Sequence, residues 1–202
     1  MKRSRERRSP KIYRSEILLP LSLDALKPFN LSGEPHGIIN TERRRQIMND
    51  WNLPWEGGCR CGQLRFKVSV PPLLTMACHC TGCKRLTASA FSLSIALPSV
   101  GFSVLKGQPT IGGLHGSARH YFCPHCMSWI FTLPEGIDEF VNLRPTMLDE
   151  ASWFTPFIET WTREKLAWAT TLAIHSFETL PTYEDYAGLI EEYAKKASKP
   201  ER

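Results

Sequence analysis

No apolar run in this chain approaches the roughly 20 residues needed to span a bilayer, so no membrane association is expected. A secretory signal is also missing: the basic start leads into Ile17-Leu18-Leu19-Pro20-Leu21, a short apolar run broken by proline and then by Asp24. There is no internal repeat and, outside the N-terminal segment, no low-complexity stretch. Beyond that segment net charge is lacking too. Of the 25 Lys and Arg, seven (Lys2, Arg3, Arg5, Arg7, Arg8, Lys11, Arg14) lie in residues 1–14 against Glu6 alone, leaving 18 basic and 19 acidic residues elsewhere, a net of −1. A nucleic-acid partner is therefore not expected of the folded part. The basic segment reads as a solvated arm, and Glu6 and Glu16 count against a mitochondrial presequence.

What is present is an odd number of cysteines, seven, in a chain with no secretory signal. That predicts a reducing, cytoplasmic compartment, where clustered cysteines are more often metal ligands or reactive thiols than disulfides. With 202 residues, 42% of them hydrophobic, the chain can bury one core but is short for two. The expected division is an extended arm over residues 1–50 and a domain over 51–202. Pro10, Pro20, Pro28, Gly33, Pro35 and Gly37 interrupt the arm, which leaves room for a short helix around Thr41 to Asn49. From Trp51 onward the texture is strand-like: Leu64 to Val70, Phe91 to Leu97, Phe102 to Leu105, His120 to Cys123, Trp129 to Leu133 and Glu139 to Leu143, punctuated by Gly and Pro. The fold class is mainly β. One helix is predicted late, opened by Thr182 and Asp185 in an acidic capping box, with Tyr186, Leu189, Ile190 and Tyr193 at helical spacing, and ending near Ser198-Lys199-Pro200.

The thiols form three groups: Cys59-Arg60-Cys61, Cys78-His79-Cys80-Thr81-Gly82-Cys83 and Cys123-Pro124-His125-Cys126. Two thiolates one or two residues apart can bind one metal from a tight turn, and two such turns supply the four ligands of a structural zinc. The first and third groups are natural partners, and Gly62 after Cys61 suits a turn needing positive φ. The central group can wrap a metal alone. A four-plus-three division leaves a three-ligand site with a free place, as in catalytic zinc sites. A five-plus-two split, a binuclear cluster or a site completed by histidine would use the same groups. His79 and His125 each sit between two cysteines, where neighbouring side chains point to different sides, so both are expected to make hydrogen bonds rather than bind metal. His115, His120 and His175 lack ligand spacing. Lys84 and Arg85, directly after Cys83, could offset a three-thiolate charge or receive an anionic ligand. Phe91, Trp129 and Phe131 read as core in preference to pocket lining.

These residues resemble the glutathione-dependent formaldehyde-activating enzymes, which share a domain with centromere protein V. The match is carried by Gly58-Cys59-Arg60-Cys61-Gly62 with Leu64-Arg65-Phe66, by Cys78-His79-Cys80-Thr81-Gly82-Cys83-Lys84-Arg85, and by Phe122-Cys123-Pro124-His125-Cys126, within about Trp51 to Tyr193. The resemblance implies the β-tent fold of antiparallel sheets clamped by a structural zinc. It also implies that Cys59, Cys61, Cys123 and Cys126 hold that zinc, and that Cys78, Cys80 and Cys83 hold a second, catalytic one, two Zn2+ per chain. Met127 stands where the family usually has glycine, so the turn is expected to be adjusted there. The implied reaction joins glutathione, or a similar thiol cosubstrate, to formaldehyde or another small aldehyde, a carbon–sulfur lyase or synthase chemistry. The alternatives are a non-catalytic zinc-stabilised module that binds through the basic arm, and a redox or metal-storage protein. Expected partners are a small thiol and an aldehyde, with homodimerisation left open. Glutathione would require groups for its carboxylates, for which Lys84, Arg85 and Arg144 are candidates by charge.

Overall fold

A computed structural model of the chain describes residues 45–46, 49–112, 118–134 and 137–200. Most of the basic arm, and His115, lie outside the described residues; of the helix expected around Thr41 to Asn49, residues 45–46 are described as helical, as are residues 49–50. Eleven strands form two sheets among the described residues, so the fold is mainly β. A three-stranded antiparallel sheet runs β1 (Trp55–Gly58), β2 (Arg65–Val68), β5 (Phe102–Lys106). An eight-stranded sheet has the order β11-β10-β3-β4-β9-β8-β7-β6. Its strands are β3 (Leu74–Cys78), β4 (Ser92–Pro98), β6 (Thr110–Ile111), β7 (Arg119–Phe122), β8 (Trp129–Leu133), β9 (Phe140–Leu143), β10 (Ile158–Thr160) and β11 (His175–Ser176). Among the described residues no helix is long and apolar enough to cross a membrane.

The sheets are antiparallel except at one edge, where β10 pairs in parallel with both β3 and β11. That exception positions the site. Pairing Thr160 with Cys78 lays β10 beside the strand that delivers the central cysteine group, and the His79 amide donates to the Thr160 carbonyl at 3.0 Å. Alternation along β2 buries Phe66 and Val68 completely, while β4, in the sheet interior, is buried at six of its seven positions. These side chains meet Leu74, Ile130, Leu143 and Ile158 in one core.

Among the described residues from 51 onward two α-helices accompany the sheets: α1 (Thr81–Thr87), within the central cysteine group, and α2 (Tyr183–Lys196) near the C-terminus. The capping box expected of Thr182 and Asp185 is present, with the Thr182 amide donating to Asp185 Oδ2 at 2.9 Å. Leu189 and Tyr193 are the buried face of α2. Tyr193 stacks on Trp51 at 6.1 Å and meets Phe157 edge-on at 5.3 Å, and Trp51 in turn touches Trp55 and Trp153. This aromatic cluster fastens the helix and the residues before β1 to the sheet. The strand pattern missed β1, β3, β6, β10 and β11, several of them only two to four residues long, and helix α1.

Candidate metal centres and the adjoining cleft

The first cysteine group follows β1 as a tight turn. The Gly62 amide donates to the Cys59 carbonyl at 3.0 Å and Gly62 has φ 71°, the left-handed conformation glycine adopts without strain. The Leu64 amide donates to Cys59 Sγ at 3.2 Å, orienting the sulfur. The third group is the turn between β7 and β8, closed by Cys123 N–H to the Ser128 carbonyl and Met127 N–H to the Cys123 carbonyl, both at 3.0 Å. Ser128 joins the two turns, since its hydroxyl lies 3.2 Å from Cys126 Sγ and accepts from the Arg60 amide at 3.3 Å. The result brings Cys59, Cys61, Cys123 and Cys126 together with all four sulfurs within 4.8 Å of one another. Cys59 Sγ to Cys61 Sγ is 3.4 Å and Cys61 Sγ to Cys123 Sγ 3.7 Å. Tetrahedral zinc with bonds of about 2.3 Å requires sulfurs about 3.8 Å apart, so this donor set fits. The Ser128 hydroxyl and amide draw Cys126 down to about 5, a thiol disposed to be a thiolate.

Met127 retains φ 56°, so the turn is not adjusted to the absence of glycine. The hydrogen bonds on either side clamp the peptide, and the side chain tolerates a conformation that costs roughly 1 kcal/mol.

Cys78 ends β3, Cys80 caps α1 and Cys83 lies in its first turn. Cys80 Sγ accepts from the Cys83 amide at 3.3 Å, serving as N-cap in the manner of a serine. These three sulfurs also lie within 4.8 Å of one another, each residue half-buried. Held this close they cannot all be thiolates without a cation among them. Hydrogen bonds from Cys78 and Cys83 pull Cys80 down to about 2, while Cys80 and Cys83, together with burial, push Cys78 far above the ordinary thiol range. The set therefore fits a divalent cation with three protein ligands.

His79, between two of these cysteines, is fully buried and turned away from them. Its Nε2 is 3.1 Å from Glu159 Oε2 on β10, and its ring meets Phe91 edge-on at 5.3 Å. Glu159, 6% exposed, also accepts from Lys165 Nζ at 2.8 Å, Thr171 Oγ1 at 2.8 Å and Ser176 Oγ at 2.6 Å. Burial alone would raise its pKa, but these donors hold the carboxyl down to about 2. The network clamps the Cys78–Cys80 peptide against β10 and β11. Sequence reading missed it, although a lone Glu between Ile158 and Thr160 in an apolar run was a signal. Of the other histidines, His125 is exposed, His120 Nδ1 lies 2.7 Å from Thr132 Oγ1, and His175 Nε2 lies 2.9 Å from Glu192 Oε2, joining β11 to α2.

Between the two cysteine sites opens a cleft of about 390 Å³. One wall is Leu86, Thr87, Phe91 and Ser92, next to the three-cysteine site, where Ser92 pairs in register with Cys78 across β3 and β4. The other wall is Phe122, Met127 and Trp129, flanking the third cysteine group. Phe91 and Trp129 thus line a cleft, contrary to the core role expected, because Phe91 immediately precedes β4 and Trp129, itself buried, is the first residue of β8; Phe131 does lie in the core against Tyr121 and Phe102. Arg144 also lines the cleft, its guanidinium 4.0 Å over the Trp129 ring. Burial lowers that guanidinium to about 10, still charged at neutral pH, against the opposing pull of Cys83 and Cys78. Lys84 and Arg85 do not line this cleft. Lys84 donates to the Glu164 carbonyl and Arg85 is exposed on α1.

Comparison with known proteins gives two findings. The model of a family described as glutathione-dependent formaldehyde-activating enzyme matches residues 54–164, which hold all seven cysteines and the cleft but not α2. The crystal structure of a Rhodobacter sphaeroides protein aligns with 46% of this chain and 87% of its own at 20% identity, with a TM-score of 0.40.

Proposed function

We propose, because this chain belongs to the glutathione-dependent formaldehyde-activating enzyme family, that it adds a thiol, glutathione or a relative of it, to formaldehyde or another small aldehyde. The observation carrying this reading is the cluster of Cys78, Cys80 and Cys83 beside a cleft, separate from a complete four-cysteine site. Cys59, Cys61, Cys123 and Cys126 would hold a structural zinc, and Cys78, Cys80 and Cys83 a second zinc with a coordination place free. Zinc at the second site would supply a Lewis acid that acidifies an incoming thiol and polarises a carbonyl oxygen. Residues 51–202 would form the catalytic domain, with residues 1–50 an arm outside it.

The chemistry is a balanced addition. A carbon–sulfur bond forms, the carbonyl π electrons move to oxygen, and the proton lost from sulfur ends on that oxygen, with no oxidant or reductant. In this scheme the protein's own thiols are ligands and not nucleophiles. The His79–Glu159 pair fixes the peptide between Cys78 and Cys80. Phe91 and Trp129 wall the cleft with apolar surface, which limits water around the reacting pair.

The test is a panel of thiols mixed with formaldehyde, following hydroxymethyl-thioether formation by NMR for the wild type and Cys80→Ser. The wild type should exceed the spontaneous rate for at least one thiol, and Cys80→Ser should fall to that rate. Equal rates for the two proteins with every thiol would refute the reading.

A further inference from the structure

Resting on this reading of a thiol and an aldehyde, we propose that Arg144 is the anion receptor of the cleft and that the small molecule bound beside the three-cysteine site carries a carboxylate. Arg144 is 8% exposed, yet among the described residues no carboxylate lies within ion-pair distance of it. Arg65 and Arg119, by contrast, pair with Asp149 and Asp138. Among the described residues the Arg144 guanidinium makes one hydrogen bond, Nη2 to the Asn142 carbonyl at 3.2 Å, and its buried Nε has no partner. A charge taken out of water without a counter-ion is strongly unfavourable, so a buried guanidinium is normally matched by an anion.

Two anions could match it: the thiolates of the three-cysteine site, which act on it from a distance, or a ligand in the cleft. The geometry favours the ligand. Trp129 supports the flat face of the guanidinium at 4.0 Å, and a planar fork fixed in this way suits two-point binding of a carboxylate. Among the described residues Arg144 is the sole charged side chain lining the cleft; the rest of the lining is the hydroxyl residues Thr87, Ser89, Ser92 and Thr146 and apolar residues. A single positive charge beside a thiolate site balances a monoanion and leaves a doubly charged phosphate uncompensated. The cleft, at about 390 Å³, suits a small molecule. Of the three basic residues that charge alone nominates, Lys84 is engaged with Glu164 and Arg85 faces solvent, which leaves Arg144.

The experiment is calorimetric titration of the full zinc-loaded chain with 3-mercaptopropionate, 2-mercaptoethanol and glutarate, for the wild type, Arg144→Gln and Arg144→Lys. The wild type should bind 3-mercaptopropionate about tenfold or more tighter than 2-mercaptoethanol, as one charge-assisted bidentate contact supplies. Arg144→Gln should erase that preference and keep 2-mercaptoethanol within about twofold of wild type; Arg144→Lys should keep part of it. Wild-type protein without a carboxylate preference, or a preference that survives Arg144→Gln, overturns the inference, and the first comparison needs no variant. Parallel loss of both thiols in Arg144→Gln also overturns it, since Arg144 would then be a charge partner of the cysteines. If neither thiol binds but glutarate binds the wild type and at least tenfold more weakly Arg144→Gln, the receptor stands and the thiol reading falls. If the thiols bind equally well with and without a carboxylate, the thiol reading stands and the receptor falls.

Discussion

Replacing Cys61 and Cys80 by serine should have unequal consequences for stability, and the difference can be worked from chain topology. A metal at the four-cysteine site joins Cys61 to Cys123 across 62 residues, tying the three-stranded sheet to the β7–β8 turn. In the chain-entropy model of a cross-link, closing a loop of that length is worth roughly 4 kcal/mol. The three-cysteine site spans only Cys78 to Cys83, for which the same expression gives roughly 2 kcal/mol. Part of that is already met by helix α1. Serine is itself a good N-cap, so Cys80→Ser keeps the bond from the Cys83 amide and removes little besides the metal ligand. At roughly 2–4 °C per kcal/mol for a domain of this size, Cys61→Ser should lower Tm by roughly 8–16 °C. Cys80→Ser should lower it by less than about half as much. Scanning calorimetry measures both, and elemental analysis should find two zincs per wild-type chain and one in each variant. Equal Tm losses with one zinc gone from each would refute the assignment of separate jobs.

Two further outcomes follow from individual side chains. Glu159 has a folded pKa of about 2 against an ordinary 4.5, so the stability it contributes is present above 4.5 and lost as pH falls toward 2. A gap of that size corresponds to about 3 kcal/mol, and Glu159→Gln should lose about that in urea unfolding at pH 7, with the difference from wild type shrinking below pH 4.5; a difference unchanged at pH 3 would contradict the network. Met127→Gly should raise stability by about 0.5–1 kcal/mol, because it relieves a left-handed conformation while adding some unfolded-state freedom; a fall in Tm would show that the Met127 side chain itself contributes more than its strain.

The parts legible in the sequence are those whose determinants are local. Cysteines two or three residues apart announce a pair of thiols on one turn whatever the remaining chain does, and Thr182 with Asp185 announces a helix start within four residues. The structure brings the seven thiols into the two groups that spacing alone suggested. The edge strand β11 and its neighbour β10 were invisible because strands of two and three residues have no period, and the pairing of β10 with β3 joins residues about 80 apart in sequence. Charge alone made Arg144 a candidate in the sequence, while no local motif distinguished Glu159. What separates them is that one finds an aromatic shelf and a cleft, and the other finds a ring of donors in the fold.

Met127 shows how the two cysteine sites depend on each other. The third cysteine group needs a left-handed residue after Cys126, and glycine would serve at no strain, yet a methionine 60% exposed stands there with its side chain on the cleft wall opposite Ser92. The four-cysteine site fixes Phe122, Met127 and Trp129, and Trp129 in turn supports Arg144; the three-cysteine site fixes Thr87, Phe91 and Ser92. Each cysteine group therefore adjoins one wall of the same cleft. On this geometry the turn that carries the third cysteine group also helps set the width of the cleft, and the site proposed for chemistry reads whatever that width and the single guanidinium admit.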